Sequence, residues 1–327
     1  MDQVKHEHQK EAAIQAWISL KGEVTDPASV ETLQFRKRKP SVFRIWSDTE
    51  SSWIICKLCS TEEAHREEIV FEKYLALLPI STLRFFGVYP SQEESESWLF
   101  VEDAGGEEYI SSRKDHQAIA TRWLGELHGL TFNMGEEVGL RDLRESFFLE
   151  KLIHVRETIS LFLQNTSSNS NLGILQEIIT HCDRIEAEWK KLEAICRQFP
   201  HTLVHGSFSH RNMRVRTGKP GVEILVYDWG AAGWGSAARD LARLTTKKIG
   251  GDLRLYFNTF KTHYPLVDFY EIKAQELLGK LFRIVEHMSW YVDCLYLDDM
   301  VEQSMNKLQG HKENLDNGLL VQILNLC

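Results

Sequence analysis

Apolar and polar positions follow two rhythms along the chain, and the changes between them mark its elements. Between residues 6 and 20, Ala12, Ala13, Ile14, Trp17, Ile18 and Leu20 recur among charged positions at the spacing of an amphipathic helix. The stretch Val24 to Val30, which contains Asp26-Pro27, reads as the loop that ends it. The runs then shorten. Val30 to Phe35, Ser41 to Trp46 and Ser52 to Leu58 predict three antiparallel strands. Helical spacing returns over Thr61 to Leu78, through Val70, Phe71, Tyr74, Leu75 and Leu78. Two further strand-like runs, Leu83 to Tyr89 and Ser97 to Glu102, flank a polar turn and complete a five-stranded set. From Ser111 onward the pattern is mainly helical. It predicts a helix around Ile119 to His128, helices over 146–164 and 174–198 separated by the Ser/Asn-rich loop Asn165 to Gly173, and further helix over 253–326. Two short apolar runs, Leu203-Val204 and Ile224 to Tyr227, read as neighbouring strand ends in a hairpin-like unit.

Composition narrows the function classes. A chain of 327 residues can bury a large core and fits one large or two modest domains. Its formal net charge of −9, without a long basic block, argues against a nucleic-acid partner. No apolar run approaches the roughly 18 residues of a membrane span, and the polar start from Met1 to Lys10 holds no secretory core, so a cytoplasmic protein without a membrane partner is expected. Cys56, Cys59, Cys182, Cys196, Cys294 and Cys327 form no disulfide framework. Cys56 and Cys59 have C-x-x-C spacing, but no second pair answers it, and strand alternation puts the two sulfurs on opposite faces.

The chemistry sits after Leu203-Val204, where the chain reads His205-Gly206-Ser207-Phe208-Ser209-His210-Arg211-Asn212 and later Asp228-Trp229-Gly230. A phosphoryl-transfer site needs a side chain that orients the attacking hydroxyl and oxygen ligands that hold Mg2+ against the phosphates. His205, Asn212 and Asp228 fall at the spacing of such a loop, followed by Gly235 and Asp240-Leu241-Ala242. Upstream, Lys57 is a lone ammonium in an apolar strand, costly to bury without an anionic partner, and Glu67 or Glu68 on the following helix would supply one.

These motifs resemble the aminoglycoside phosphotransferase and choline kinase-like family over roughly residues 30 to 300. The resemblance implies an α+β, two-lobed protein kinase-like fold. A nucleotide-binding lobe would occupy residues 1–102, and a helical lobe with the catalytic loop, metal site and acceptor pocket 103–327, with Asp103-Ala104-Gly105-Gly106 as linker. It implies ATP and Mg2+ as cofactors and a small hydroxylated acceptor. Asn212 and Asp228 would ligate the metal, Lys57 held by Glu67 would meet the α- and β-phosphates, and the adenine would pair with backbone around Phe100, Val101 and Glu102. The hairpin over the phosphates lacks the kinase glycines. Ser41 becomes a phosphate-binding hydroxyl there, and Arg36 to Lys39 either attract phosphate or are simply solvated. His205 is implied to pin the loop, Asp240 to orient it, and His128 to be a structural core histidine.

One position departs from the family. Ser207 stands where the family has its catalytic Asp, and a serine hydroxyl cannot take the acceptor's proton at neutral pH. Three readings follow: a kinase in which His210 or the substrate takes the proton, a pseudokinase serving as a nucleotide-binding module, or a base-deleted variant of an active kinase. In the late helical region, Trp290, Tyr291, Asp293, Tyr296, Asp298 and Asp299 carry the parts of a cation pocket, which core packing and a solvated face explain as well.

Overall fold

The computed structural model describes residues 2–22, 29–35, 40–165, 172–217, 221–297 and 299–326. The expected loop at Asp26-Pro27, the basic run Arg36 to Lys39, most of the Asn165 to Gly173 loop and Asp298 lie outside the described residues. The chain forms two compact units. The first holds residues 1–123, 136–140 and 209–232, and the second 124–135, 141–208 and 233–327. The first unit thus contains the expected N-terminal lobe and, besides it, the segment carrying Asn212 and Asp228.

In the first unit, α1 (Asp2–Lys21) is followed by β1 (Val30–Gln34), β2 (Ser41–Ser47), β3 (Ser52–Ser60), β4 (Phe85–Pro90) and β5 (Glu96–Glu102). The strands form one antiparallel sheet in the order β1-β2-β3-β5-β4. Alternation divides it into two faces. Phe43, Ile45, Ile54, Cys56, Leu58, Trp98 and Phe100 share one face and bury Ala13, Ile14 and Trp17 of α1 against it. The register pairs Val42 with Lys57 and Lys57 with Leu99, which puts the Lys57 side chain on the opposite face. There α2 (Thr61–Ile69) begins at Ser60, whose hydroxyl accepts from the Glu63 amide, and it continues as a π turn at Val70–Tyr74 and a 3-10 turn at Leu75–Leu77. Cys56 and Cys59 are both buried free thiols. Cys56 pairs with Phe100 on the α1 face, and Cys59 points the other way.

A short strand, β6 (Glu107–Glu108), precedes α3 (Lys114–Thr131). In the second unit follow β7 (Arg141–Leu143), α4 (Glu145–Asn165), α5 (Leu172–Ala187), α6 (Trp189–Arg197) and β8 (Thr202–Val204). The single helix expected over 174–198 is two, broken at Glu188, where the backbone turns to φ −96°, ψ 4°. No glycine or proline marks this break; it lets Trp189, Leu192, Ile195 and Cys196 of α6 join the core. The chain returns to the first unit for β9 (Met213–Thr217) and β10 (Val222–Val226), which form an antiparallel ribbon extended by β6. The second unit resumes with β11 (Gly233–Gly235), paired between β7 and β8, and α7 (Ala238–Leu244). Then come α8 (Leu253–Phe260), α9 (Phe269–Asp293), α10 (Val301–Asp316) and α11 (Leu319–Leu324).

The long α9 is the spine of the second unit. A capping box between Asp268 and Glu271 starts it, and its Phe282 stacks on Phe148 of α4 with ring centroids 4.1 Å apart. It meets α7 through Gly279, where an added Cβ would lie 1.8 Å from the Ala238 carbonyl oxygen. The two backbones touch only because that side chain is missing. Gly279→Ala is therefore expected to cost roughly 3 kcal/mol of unfolding free energy, read from urea denaturation; unchanged stability would mean that α7 can move aside freely.

Candidate functional site: the Lys57–Glu67–Asp228 triad and the Asp240-held loop

Within the first unit, three charged side chains distant in sequence converge. The Lys57 ammonium donates to Glu67 Oε1 at 2.9 Å and to Asp228 Oδ1 at 2.6 Å. Lys57 and Glu67 are largely buried, whereas the Asp228 side chain is 46 % exposed. Burial works against the ammonium, but the two carboxylates hold the Lys57 pKa above the ordinary lysine value. Burial pushes the Glu67 carboxyl up, against the pull of Lys57 and of the Trp229 amide that donates to it. Glu68, the other candidate partner on α2, turns instead to His65 at 3.2 Å.

The segment after β10 is locked to α2. Glu67 receives the Trp229 amide, and the buried guanidinium of Arg66 donates to the Gly230 carbonyl at 2.6 Å and also to Glu62. Asp228 itself has φ +67°, a left-handed conformation that costs an aspartate of order 1 kcal/mol and aims its side chain toward Lys57. Asn212 closes a 3-10 turn (His210–Asn212), and its carbonyl accepts from the Tyr227 amide at 3.1 Å. Because Met213 pairs with Val226, Asn212 and Asp228 leave the β9–β10 ribbon at the same end. Asparagine and aspartate oxygens are hard donors of the kind Mg2+ takes. Among the described residues, no group of three or more His, Cys, Asp or Glu side chains could hold a metal by itself. Any Mg2+ at this end would therefore share its coordination with phosphate oxygens and water, as this ion commonly does.

In the second unit, the loop after β8 is fixed by one carboxylate. Asp240, fully buried near the start of α7, accepts the His205 amide at 2.7 Å and the Gly206 amide at 3.0 Å. Gly206 has φ +75°, which a side chain would strain and which brings two successive amides onto one acceptor. His205 Nδ1 in turn accepts the Ser207 amide at 3.1 Å. Burial pushes the Asp240 carboxyl up, yet His128 at 3.4 Å, His205 and the His205 amide outweigh it and leave its pKa below the usual carboxylate range. His128 is buried and bonded through Nδ1 to the Tyr256 hydroxyl at 2.8 Å. Ser207 is half-buried, and the chain passes from the second unit to the first between Phe208 and Ser209. His210 lies half-buried in the turn before Asn212.

The other sequence-predicted residues fall elsewhere in the first unit. Ser41 is on the α1 face of the sheet, opposite to Lys57, and its hydroxyl donates to Gln9 Oε1 at 2.7 Å. Phe100 packs against Trp17 of α1 with ring centroids 5.3 Å apart. Phe100 and Val101 belong to β5, which pairs with β3 on one side and β4 on the other, so the ladders engage their backbone. The Glu102 carboxylate accepts from Arg216 at 2.6 Å and from the Arg84 amide at 3.0 Å, and the Glu102 amide donates to the Arg84 carbonyl at 2.8 Å. Sequence reasoning missed Arg66 and Arg216, since an arginine in a helix or strand carries no signal of a partner more than a hundred positions away. Of the late aromatic and acidic segment, Asp293 pairs with His154 at 2.7 Å, and Trp290 and Tyr296 are exposed.

An antiparallel five-stranded sheet whose central lysine is held by a helix glutamate, with a mainly helical unit that carries an aspartate-fixed loop, defines the protein kinase-like fold. Solved structures share it. A choline kinase from Cryptosporidium parvum Iowa II aligns over 94 % of this chain and 97 % of its own, at 13 % identity and a TM-score of 0.58. An ethanolamine kinase from Plasmodium vivax aligns over 91 % of this chain and 86 % of its own, at 16 % identity and a TM-score of 0.53. A spectinomycin phosphotransferase in complex with ADP and spectinomycin aligns over 91 % and 92 %, at 12 % identity and a TM-score of 0.54. The family profile is more specific: residues 36–264 match the phosphotransferase enzyme family (APH), and the chain belongs to it. A comparison with curated proteins gives no match. No helix among the described residues is long and apolar enough to cross a membrane.

Proposed function

We propose that this protein is an ATP-dependent phosphotransferase that acts on a hydroxyl of a small molecule, with a catalytic loop that lacks the usual carboxylate base. The observation that carries this reading is the Lys57 ammonium bound between Glu67 and Asp228. Two of its three N–H groups are used there, and the third remains for a nucleotide phosphate oxygen. Asn212 and Asp228 would hold Mg2+, which neutralises charge on the transferring phosphoryl group. Phosphoryl transfer through a loose transition state depends mainly on positioning and charge neutralisation. The triad supports both, so the absence of a base at Ser207 slows the reaction without abolishing it. His210, three residues beyond Ser207, or the acceptor itself would take the proton. A solved relative named for choline, one for ethanolamine and one for spectinomycin support aminoglycosides, amino alcohols or sugar-like alcohols as acceptors.

A second reading, a nucleotide-binding module without turnover, is favoured by Ser207 alone. Isothermal titration with Mg·ATP and Mg·GTP, followed by ADP or GDP release across a panel of aminoglycosides, amino alcohols and sugars, separates the two. Acceptor-stimulated release is expected. Nucleotide binding without it supports the module, and absence of nucleotide binding overturns both readings.

A further inference from the structure

The second unit contains a cavity of about 350 Å³ walled by α9, α10 and α11, within the size range of small-ligand sites. Its polar wall includes Lys280, Arg283 and His287 of α9, His311 and Asn314 of α10 and Asn317 just beyond it, with no acidic side chain. In a chain with 47 acidic and 38 basic residues, that lining is not what average composition would place there. The floor is apolar, formed by Leu277, Ile284 and Leu319.

Only some of the cations are paired. Lys280 reaches Glu276 at 2.6 Å, but Arg283 makes no hydrogen bond or ion pair among the described residues. The His287 and His311 rings lie 5.4 Å apart, and the buried His311 Nδ1 has no hydrogen-bond partner among the described residues. Behind them on α7, Arg243 is half-buried and, among the described residues, without an ion pair, and Arg239 is matched by Glu286 at 2.5 Å. Like charges gathered with too few counter-charges are unfavourable, and a multivalent anion would offset that cost.

We propose that this cavity binds a phosphorylated small molecule, its phosphate held by Arg283, Lys280 and the His287–His311 pair, its organic part on the apolar floor. The site is separate from the Lys57 triad in chemistry and in sequence, and it does not depend on the phosphotransferase reading.

The two imidazoles give the site a pH signature. Burial first, then the neighbouring Arg283, His311, Arg243 and Arg239, lower His287 to about 4; burial, Arg283 and Lys307 lower His311 as well. Both are neutral near pH 7 without ligand. A bound dianion reverses the cationic repulsion and raises both pKa values, so binding takes up protons and affinity rises as pH falls. Glu286 and Glu276, the nearest acids on α9, are engaged with Arg239 and Lys280 and do not counter this sign.

The test is calorimetric titration with pyrophosphate and with sulfate, in a Lys57→Met background so that the nucleotide site does not contribute. Binding is expected, weakened at least tenfold by Arg283→Gln and only partly by Arg283→Lys, with far-UV circular dichroism unchanged. Sulfate, which does not titrate in this range, should bind more tightly at pH 6 than at pH 7.5, and His287→Gln/His311→Gln should flatten that dependence. Cosedimentation with phosphatidic acid vesicles separates the two sources of phosphate. Pelleting that Arg283→Gln abolishes assigns a lipid headgroup, and protein that stays in the supernatant assigns a soluble ester. No binding of either anion, or Arg283→Gln binding as tightly as its parent, overturns the proposal.

Discussion

Replacing Asp228 by asparagine is expected to remove the Mg2+-dependent part of nucleotide affinity and to lower phosphoryl transfer by about 10³-fold, some 4 kcal/mol at 1.36 kcal/mol per decade. The substitution is nearly isosteric, and asparagine tolerates the left-handed backbone at this position, where φ is +67°. The fold therefore survives and the loss is electrostatic. Asp228→Asn would remove the charge of the proposed Mg2+ ligand and leave Lys57 with Glu67 as its carboxylate partner among the described residues. Calorimetric titration of ATP with and without Mg2+, beside turnover with the best acceptor, reads both effects. Mg2+-dependent affinity equal to that of the parent protein would show that the metal is held elsewhere.

Ser207→Asp is expected to raise turnover with the best acceptor by about 10² to 10⁴-fold, roughly 2.7 to 5.4 kcal/mol, the worth of a positioned proton acceptor. The loop is prepared for the change. The Ser207 contact to His205 Nδ1 uses the backbone amide, and Asp240 fixes the two preceding amides, so a new side chain disturbs none of these bonds. A gain of this size in kcat with little change in nucleotide affinity identifies position 207 as the missing base. If turnover does not rise, another group already takes the proton, and His210→Ala should then abolish it.

Much of the candidate site was legible because its signals are local. A lysine in an apolar strand requires a counter-charge, and helical phase offered Glu67 and Glu68; packing selected Glu67, whose side chain is buried beneath Lys57, while Glu68 faces His65. Alternation also separated Cys56 from Cys59. The same alternation could not say which face of the sheet α1 would cover. The family resemblance makes Ser41 a phosphate-binding hydroxyl, whereas it lies under α1 and bonds to Gln9. Nor could alternation show that β5 lies inside the sheet, between β3 and β4, which engages the backbone of Phe100 and Val101 in two ladders. The break at Glu188 left no trace, since nothing in its residue type forbids a continuous helix.

The sequence by itself determined the five strands of the sheet, the helical character of the later chain, and the need of Lys57 for a counter-charge from Glu67 or Glu68. These follow from periodicity and residue type, which act over a few neighbouring positions. Only the tertiary structure decided the partners. Lys57 meets Asp228 across 171 positions, Glu102 meets Arg216 across 114, and Asp240 reaches back to the His205 amide across 35. Such pairs form because burying a charge or an amide costs free energy until some complementary group arrives, and the sheet and helix packing dictate which group that is.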